Sequence, residues 1–379
     1  MEKNDEYYWY WLCNMNGVGN SAIRELLNIF QTPKEIYETS NELLERVTGL
    51  SREQIITIQD MKKSSKLYED FLGLQERGIY FTHPGKEDYP AQLYEIFDAP
   101  YALYYKGRLP EKNCPVVSIV GARGCTEYGR NIALQFGREF AHMGIQVVSG
   151  MAMGIDAAGH WGALKGNGYT LAVLGCGVDI CYPRVNIELY SQILEHGGVI
   201  SEYPPGAQPM PGQFPMRNRI ISGLSDVVIV VEARKKSGSL ITIDQALEQN
   251  KDIMAVPGRI GDPLSEGCNR LIQMGAQVIL NPKDILSNGK VAENYNLLLK
   301  KESLEQRKNN NKNIFSCETG LAKQKNMLYS GLNLYPKSLN TIIEETGLTI
   351  PEVSALLLEL ELEGNVREVS KNCYIGIHL

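Results

Sequence analysis

Val116-Val117-Ser118-Ile119-Val120-Gly121-Ala122-Arg123-Gly124 is a continuous apolar run that breaks into a glycine-flanked turn, with Tyr128-Gly129 opening a helical pattern shortly after. A strand with no polar alternation is buried on both faces, which is the mark of a parallel sheet covered by helices. The same unit recurs on the C-terminal side at Ile145 to Ser149, Tyr169 to Leu174, Gly198 to Ser201, Val227 to Val231, Ile253 to Val256 and Gln277 to Leu280. Helical stretches begin near Gly129, Ile155, Ile187, Phe214, Leu240 and Cys268. Strands alternating with helices predict an α/β fold, an extended Rossmann-like doubly wound parallel sheet, over residues 79–287. Shorter strand-like pieces, Tyr80-Phe81-Thr82 and Tyr101 to Tyr105, lead into it.

The flanks read differently. Residues 1–78 predict a small helical domain of helix-hairpin-helix or SAM-like type, with apolar residues at helical spacing such as Ile23, Leu26, Leu27 and Phe30. Two glycine turns precede the N-cap candidates Asn20 and Ser51. Gly17-Val18-Gly19 before a helix could offer amides to a phosphate, and a packed cap is the plainer reading. Residues 288–326 are rich in Asn, Lys and Glu and read as a mobile linker. Residues 327–379 outline a winged helix-turn-helix: a helix at Ser338 to Thr346, a turn at Gly347, a helix at Pro351 to Glu363 and a strand pair within Val366 to Ile377. That second helix carries Glu352, Glu359, Glu361 and Glu363 and no Lys or Arg, whereas a recognition helix enters a field of phosphates. With Leu356, Leu358, Leu360 and Leu362 added, the tail reads as a protein-contact module or a plain packing unit.

The 379 residues carry a net charge of −6, which argues against coating nucleic acid with the whole surface but leaves room for a local basic groove. The eight cysteines form no CxxC pair, so no metal site and no zinc is expected. The polar, acidic Met1-Glu2-Lys3-Asn4-Asp5-Glu6 is no signal peptide, and no apolar stretch reaches the ~18 residues of a membrane span, so a cytoplasmic protein is expected.

In a doubly wound sheet, ligands bind beyond the carboxyl ends of the strands. Here those ends are Gly121-Ala122-Arg123-Gly124, Ser149-Gly150-Met151-Ala152-Met153-Gly154-Ile155-Asp156, Gly175-Cys176-Gly177 running on to Tyr182-Pro183-Arg184 and Asn186, Ser201 to Gly206, and Glu232-Ala233-Arg234-Lys235-Lys236-Ser237-Gly238-Ser239. Glycines let backbone approach a ligand, and amides at helix starts attract anions, so four such loops on one edge predict an anion site. Arg123 stands where a dinucleotide fingerprint needs its second glycine, and the second strand ends in Ser149-Gly150 with no acidic residue, which disfavours NAD. No P-loop motif exists. Arg217 and Arg219 are two apart and so point about 200° from each other on a helix; one is expected to face the ligand and the other to hold the loop. Phe214 is either a base-stacking ring or a hydrophobic staple. Asp156, Asp179, Glu202, Glu232 and Asp244 could pair for hydrolysis, but Asp156 and Asp244 read as first-turn residues that favour the helix dipole. The histidines are scattered, and no catalytic residue is assigned.

Taken together, Val120 to Arg123, Ser149 to Asp156, Tyr182-Pro183-Arg184 with Asn186, Ser201 to Gly206, Phe214 to Ile221 and Ser237 to Thr242 resemble the DprA (Smf) family across about residues 80–282. The resemblance implies a homodimer that binds single-stranded DNA without catalysis or cofactor and loads a RecA-type recombinase during natural transformation. Carried over by motif, the DNA contacts are Gly121, Arg123, Ser149, Gly150, Gly154, Arg184, Phe214, Arg217, Asn218, Arg219, Ser237, Gly238 and Ser239. Leu271 and Ile272 are the dimer candidates. Many relatives have Lys where Arg184 stands, and Ile243-Asp244-Gln245 departs from the usual small residue there. Two other readings compete. One is a nucleotide N-glycosidic phosphoribohydrolase of a related Rossmann-like group, whose Pro-Gly-Gly-x-Gly-Thr loop is missing from Ser237 to Thr242. The other is a DNA-binding regulator acting through the tail.

Overall fold

The computed structural model describes residues 3–47, 49–310, 325, 328–329, 332, 337–362, 365–370 and 372–376. The chain forms two compact units, Met1–Glu302 and Ser303–Leu379. The first unit is built on nine strands: β1 (Tyr80–Thr82), β2 (Leu103–Gly107), β3 (Val116–Val120), β4 (Gln146–Ser149), β5 (Thr170–Val173), β6 (Gly198–Ser201), β7 (Val227–Val230), β8 (Asp252–Ala255) and β9 (Gln277–Val278). Their order is β1-β2-β6-β5-β4-β3-β7-β8-β9. From β6 to β9 every neighbouring pair is parallel. The lead-in strands add an antiparallel edge, β2 against β6 and β1 against β2.

Successive residues of the central strands point to opposite faces, and both faces are apolar. Val117 and Ile119 pack with Val147, Ile229 and Met254 beneath Phe136, Phe140 and Ile155. Val116 and Val120 pack with Val148, Val173 and Val230 beneath Ile220, Ile221 and Ile243. On the first face the helices Glu127–His142 and Ile155–Lys165 meet backbone to backbone. A Cβ at Gly137 would stand 2.3 Å from the Gly159 carbonyl oxygen, and one at Gly162 2.2 Å from that of Leu134.

Among the described residues, six helices precede the sheet, from Asp5–Cys13 to Ser65–Glu76. Ser51 caps its helix through a capping box with Gln54, as expected. Asn20 does not: Gly19 holds the N-cap position, and the Asn20 amide donates to Glu202 Oε1 at 3.0 Å and Asp98 Oδ1 at 3.3 Å. Two carboxylates at this helix start repel a phosphate, so the packed-cap reading fits better. Tyr7, Trp11 and Leu26 of these helices share one apolar cluster with Tyr104, Met151 and Leu174 of the sheet layer.

The expected mobile linker is overturned over Gly289–Asn310, which is helical. Val291 is fully buried, Tyr295 packs on the same cluster, and Leu298 lies against Gly144. The spacing of four and then three residues makes one helical stripe, hidden in a Lys- and Asn-rich composition. Residues 311–324 of that stretch lie outside the described residues.

In the second unit, β10 (Lys337–Ser338), β11 (Val366–Ser370) and β12 (Cys373–Gly376) form a sheet ordered β10-β12-β11 beside helices Leu339–Thr346 and Ile350–Leu362. Ser338 caps the first helix, and Gly347 ends it at φ +68°. Val353, Leu356, Leu357 and Leu360 form the core with Ile342 and Val366. Leu358, Glu352, Glu359 and Glu361 face solvent, so the outer face of the second helix is acidic as expected. The Leu362 and Glu363 side chains lie outside the described residues.

Candidate nucleic-acid interface

The chain leaves β3 for β4 on one side of the sheet and returns to β7 on the other. The loops after β3 and β7 therefore diverge and open a crevice, the place where doubly wound sheets hold ligands. Glu232, just past β7, builds this edge. Its carboxylate accepts the Thr126 amide at 2.8 Å and the Thr126 hydroxyl, while Thr126 Oγ1 accepts the Gly129 amide at 3.0 Å. Thr126 thus caps the helix after the Gly121–Gly124 turn, and Glu232 from beyond the neighbouring strand fixes it. On the other side, Gly154 (φ +80°) opens the helix Ile155–Lys165, and the Gly150 amide donates to Asp156 Oδ2 at 3.2 Å.

The crevice is a cavity of about 630 Å³, within the range of small-ligand sites. Of the residues assigned from sequence, Gly121, Arg123, Phe214, Arg217, Asn218, Ser237, Gly238 and Ser239 line it. Tyr182, Arg234, Lys236 and Thr242 line it too. Arg234 and Lys236 belong to the basic run Arg234-Lys235-Lys236 that the sequence places on this edge, but none of the four is among the contacts carried over by motif. Arg123, Arg234 and Lys236 are exposed, and the carboxylate in the lining is the buried Asp156. The rim is therefore open and basic.

Phe214 faces this cavity. Its ring lies 5.4 Å from that of Tyr182, and the guanidinium carbons of Arg123 and Arg217 stand 5.9 and 6.0 Å from its centroid. Gly175 sits behind it, where a Cβ would come within 2.9 Å of the ring. The ring thus sits at the cavity wall, close to two guanidinium groups and with backbone behind it.

The other assigned residues lie outside the lining. Ser149 is buried and donates to the Ile119 carbonyl at 2.6 Å, so it holds β3 to β4. Gly150 and Gly154 shape the loop beneath the cavity. Arg184 is exposed on the neighbouring loop. Arg219 is buried on the far side of its helix, with Nη2 donating to both oxygens of Glu202 at 2.6 Å and Nε 3.3 Å from Asp98 Oδ2. It is withdrawn from the rim because the helix turns it toward those two carboxylates.

Arg217 borders the cavity but is only 5% exposed. Its Nη1 donates to the Gly150 carbonyl at 2.7 Å and to the Val173 carbonyl, and Nε donates to Asn218 Oδ1 at 3.2 Å. Of the two arginines, Arg217 borders the cavity while donating to carbonyls beneath it, and Arg219 holds Glu202 and Asp98 away from it. Burial pulls its pKa down to about 10, with Asp156 opposing and Arg123 assisting, so it keeps its charge at neutral pH. Burial raises the Asp156 carboxyl and Arg217 opposes that rise.

Four of the five candidate catalytic carboxylates are engaged, and the fifth, Asp244, lies beyond the first turn of its helix, against expectation. Glu232 caps a helix, Glu202 holds Arg219 and Asn20, and Asp179 holds Arg77 and the Gly206 amide. Asp156 holds the Gly150 amide, and Asp244 is exposed on the helix Gly238–Glu248. Among the described residues no group of three or more His, Cys, Asp or Glu side chains is placed to hold a metal ion. Nor is any helix among them long and apolar enough to cross a membrane.

His160 is fully buried next to this floor, its Nδ1 2.6 Å from Thr170 Oγ1. Burial, aided by the Arg217 charge, lowers its pKa from 6.5 to about 3. The unfolded chain therefore takes up a proton that the folded chain refuses. The resulting stability is whole above pH 6.5 and drains away as pH falls toward about 3. His160→Gln should flatten that part of the stability curve, measured by urea unfolding at stepped pH. An unchanged acid slope would contradict it.

The family profile described as DNA recombination-mediator protein A matches residues 80–290, and a DprA winged helix domain matches residues 318–370. Protein Smf of Synechocystis sp. is 32% identical over 389 residues, covering 97% of this chain and 98% of its own. This chain belongs to the DprA/Smf family. The DNA processing protein DprA of Streptococcus pneumoniae is 45% identical over 203 residues, 52% of this chain and 70% of that protein. The solved structure of the pneumococcal protein superposes with a TM-score of 0.66 at 34% identity, over 76% of this chain and 98% of that one. DNA processing protein A from Helicobacter pylori, whose solved structure addresses its single-stranded DNA binding mode, gives 0.50 at 32% identity, over 58% and 96%.

The dimer candidates of the DprA/Smf reading lie near the β9 edge. Leu271 is 8% exposed and packs in the core beneath that edge. Ile272 is half-buried against the same core. Met274 and Leu280 nearby are exposed.

Proposed function

We propose that the chain binds single-stranded DNA along this rim, as a homodimer, and loads a RecA-type recombinase onto the bound strand in transformation and recombination. No covalent step belongs to this reading. The observation that carries it is the crevice beside β3 and β7, where an exposed Arg123, the Phe214 ring and the amides of glycine-rich turns converge. Exposed phosphates suit the arginine and the amides, and unpaired bases suit the ring. The family relationship supports the strand-binding and recombinase roles, and the exposed apolar β9 edge supports the dimer.

The test is Arg123→Ala, read by fluorescence anisotropy with a labelled oligonucleotide across a salt series. The unaltered chain should prefer single-stranded over duplex DNA, and log K should fall by about 0.7 per neutralised phosphate for each unit of log salt. The variant should bind every sequence more weakly and lose about 0.7 from that slope. Equal affinity and slope would reject the site. Recombinase loading is tested separately, by filament assembly on strands coated with a single-strand binding protein; no gain on adding the chain would reject that part alone.

A further inference from the structure

From the wall of the crevice an exposed apolar strip runs outward. Tyr182, Val185 and Ile187 are 42%, 72% and 60% exposed, and Met153 is 48% exposed. Met153 lies on the loop after β4, Tyr182 on the loop after β5, Val185 in the short 3-10 turn Arg184–Asn186 that follows, and Ile187 at the start of the helix Ile187–His196. Asn186 ties the two loops together by donating to the Met151 carbonyl at 2.9 Å. Arg184 is exposed in the same turn as Val185, and the Tyr182 ring borders the crevice 5.4 Å from Phe214.

We infer that this strip is a landing platform for the bases of single-stranded DNA leaving the crevice, with Arg184 meeting the backbone alongside. The inference rests on the proposed function and extends it to a second contact surface. Its support is continuity and charge. The strip runs on from Tyr182 at the cavity wall, and it is flanked by a cation. Exposed apolar side chains beside a basic rim suit a ligand that is apolar on its base faces and anionic on its backbone. Bases supply that at any sequence, because every base has a flat apolar face.

The experiment compares the unaltered chain with Val185→Ser/Ile187→Ser and with Met153→Ser, using oligo-dT of increasing length and a matched abasic strand. Ile56→Ser, an exposed apolar change on a front helix, is the control. The strip variants should lose about tenfold in affinity on strands long enough to leave the crevice. They should keep the salt slope of the unaltered chain, since no phosphate contact is removed. On the abasic strand the loss should vanish. Equal affinity in all proteins would overturn the platform and leave the strip to a protein partner. A loss that persists on abasic strand, or one that lowers the salt slope, would overturn it as well. Failure of the unaltered chain to bind any single strand would instead reject the proposed function, and the platform with it.

Discussion

Arg217→Met should destabilise the folded chain strongly, by about 3–5 kcal/mol, because it removes a buried charge facing Asp156 together with a donor to two buried carbonyls. The carbonyls of Gly150 and Val173 both accept from its Nη1, and they come from the ends of neighbouring strands. Methionine fills much of the volume but leaves both carbonyls without that donor. Asp156, already raised by burial, loses the charge that opposes the rise. Arg217→Lys should recover part of the loss, since an ammonium restores charge but lacks the planar fork that reaches carbonyls and Asn218 together. The urea midpoint and the strand affinity below the transition separate two roles. A midpoint shift with affinity falling in step marks a brace. An unchanged midpoint with affinity lost would mean that Arg217 acts as a direct contact, against the geometry described here.

Gly154→Ala should disable the rim while leaving the sheet in place. Gly154 has φ +80° and ψ −125°, a region that side chains other than glycine's enter at a cost of about 1–3 kcal/mol. Space adds to the strain. A Cβ there would stand 2.3 Å from the Ala122 carbonyl oxygen and 2.5 Å from that of Arg123. Both atoms are backbone, so the Gly121–Gly124 turn must move, and Arg123 moves with it. Strand affinity should fall at least as far as in Arg123→Ala, with a lower urea midpoint that Arg123→Ala does not share. Binding equal to that of the unaltered chain would show that the turn tolerates the shift.

Much of this was legible in the residues. β3 and β6 run over the residues read from sequence, and the helices begin within three residues of their expected starts. Continuous valine and isoleucine runs fit two-sided burial, whatever lies nearby. The helix Gly289–Asn310 escaped because its stripe of Val291, Tyr295 and Leu298 is diluted by lysine and asparagine, and composition outweighed spacing. The crevice is half legible. Glycine turns, Arg123 and the basic run Arg234-Lys235-Lys236 announce it along the chain, while the meeting of Tyr182 with Phe214 on one wall comes from distant loops folding together.

The division follows from the range of the forces. Apolar periodicity and turn chemistry act over a few residues, so the order of strands, the parallel layer and the glycine-rich edge could be read along the chain. The direction in which a long cation points depends on acceptors it meets only after folding. Arg217 turns down to carbonyls delivered by β4 and β5, Arg219 turns away to Glu202 and Asp98, and Arg123 is left at the mouth of the crevice. A buried guanidinium must find partners for its protons, and the tertiary structure determines which partners those are.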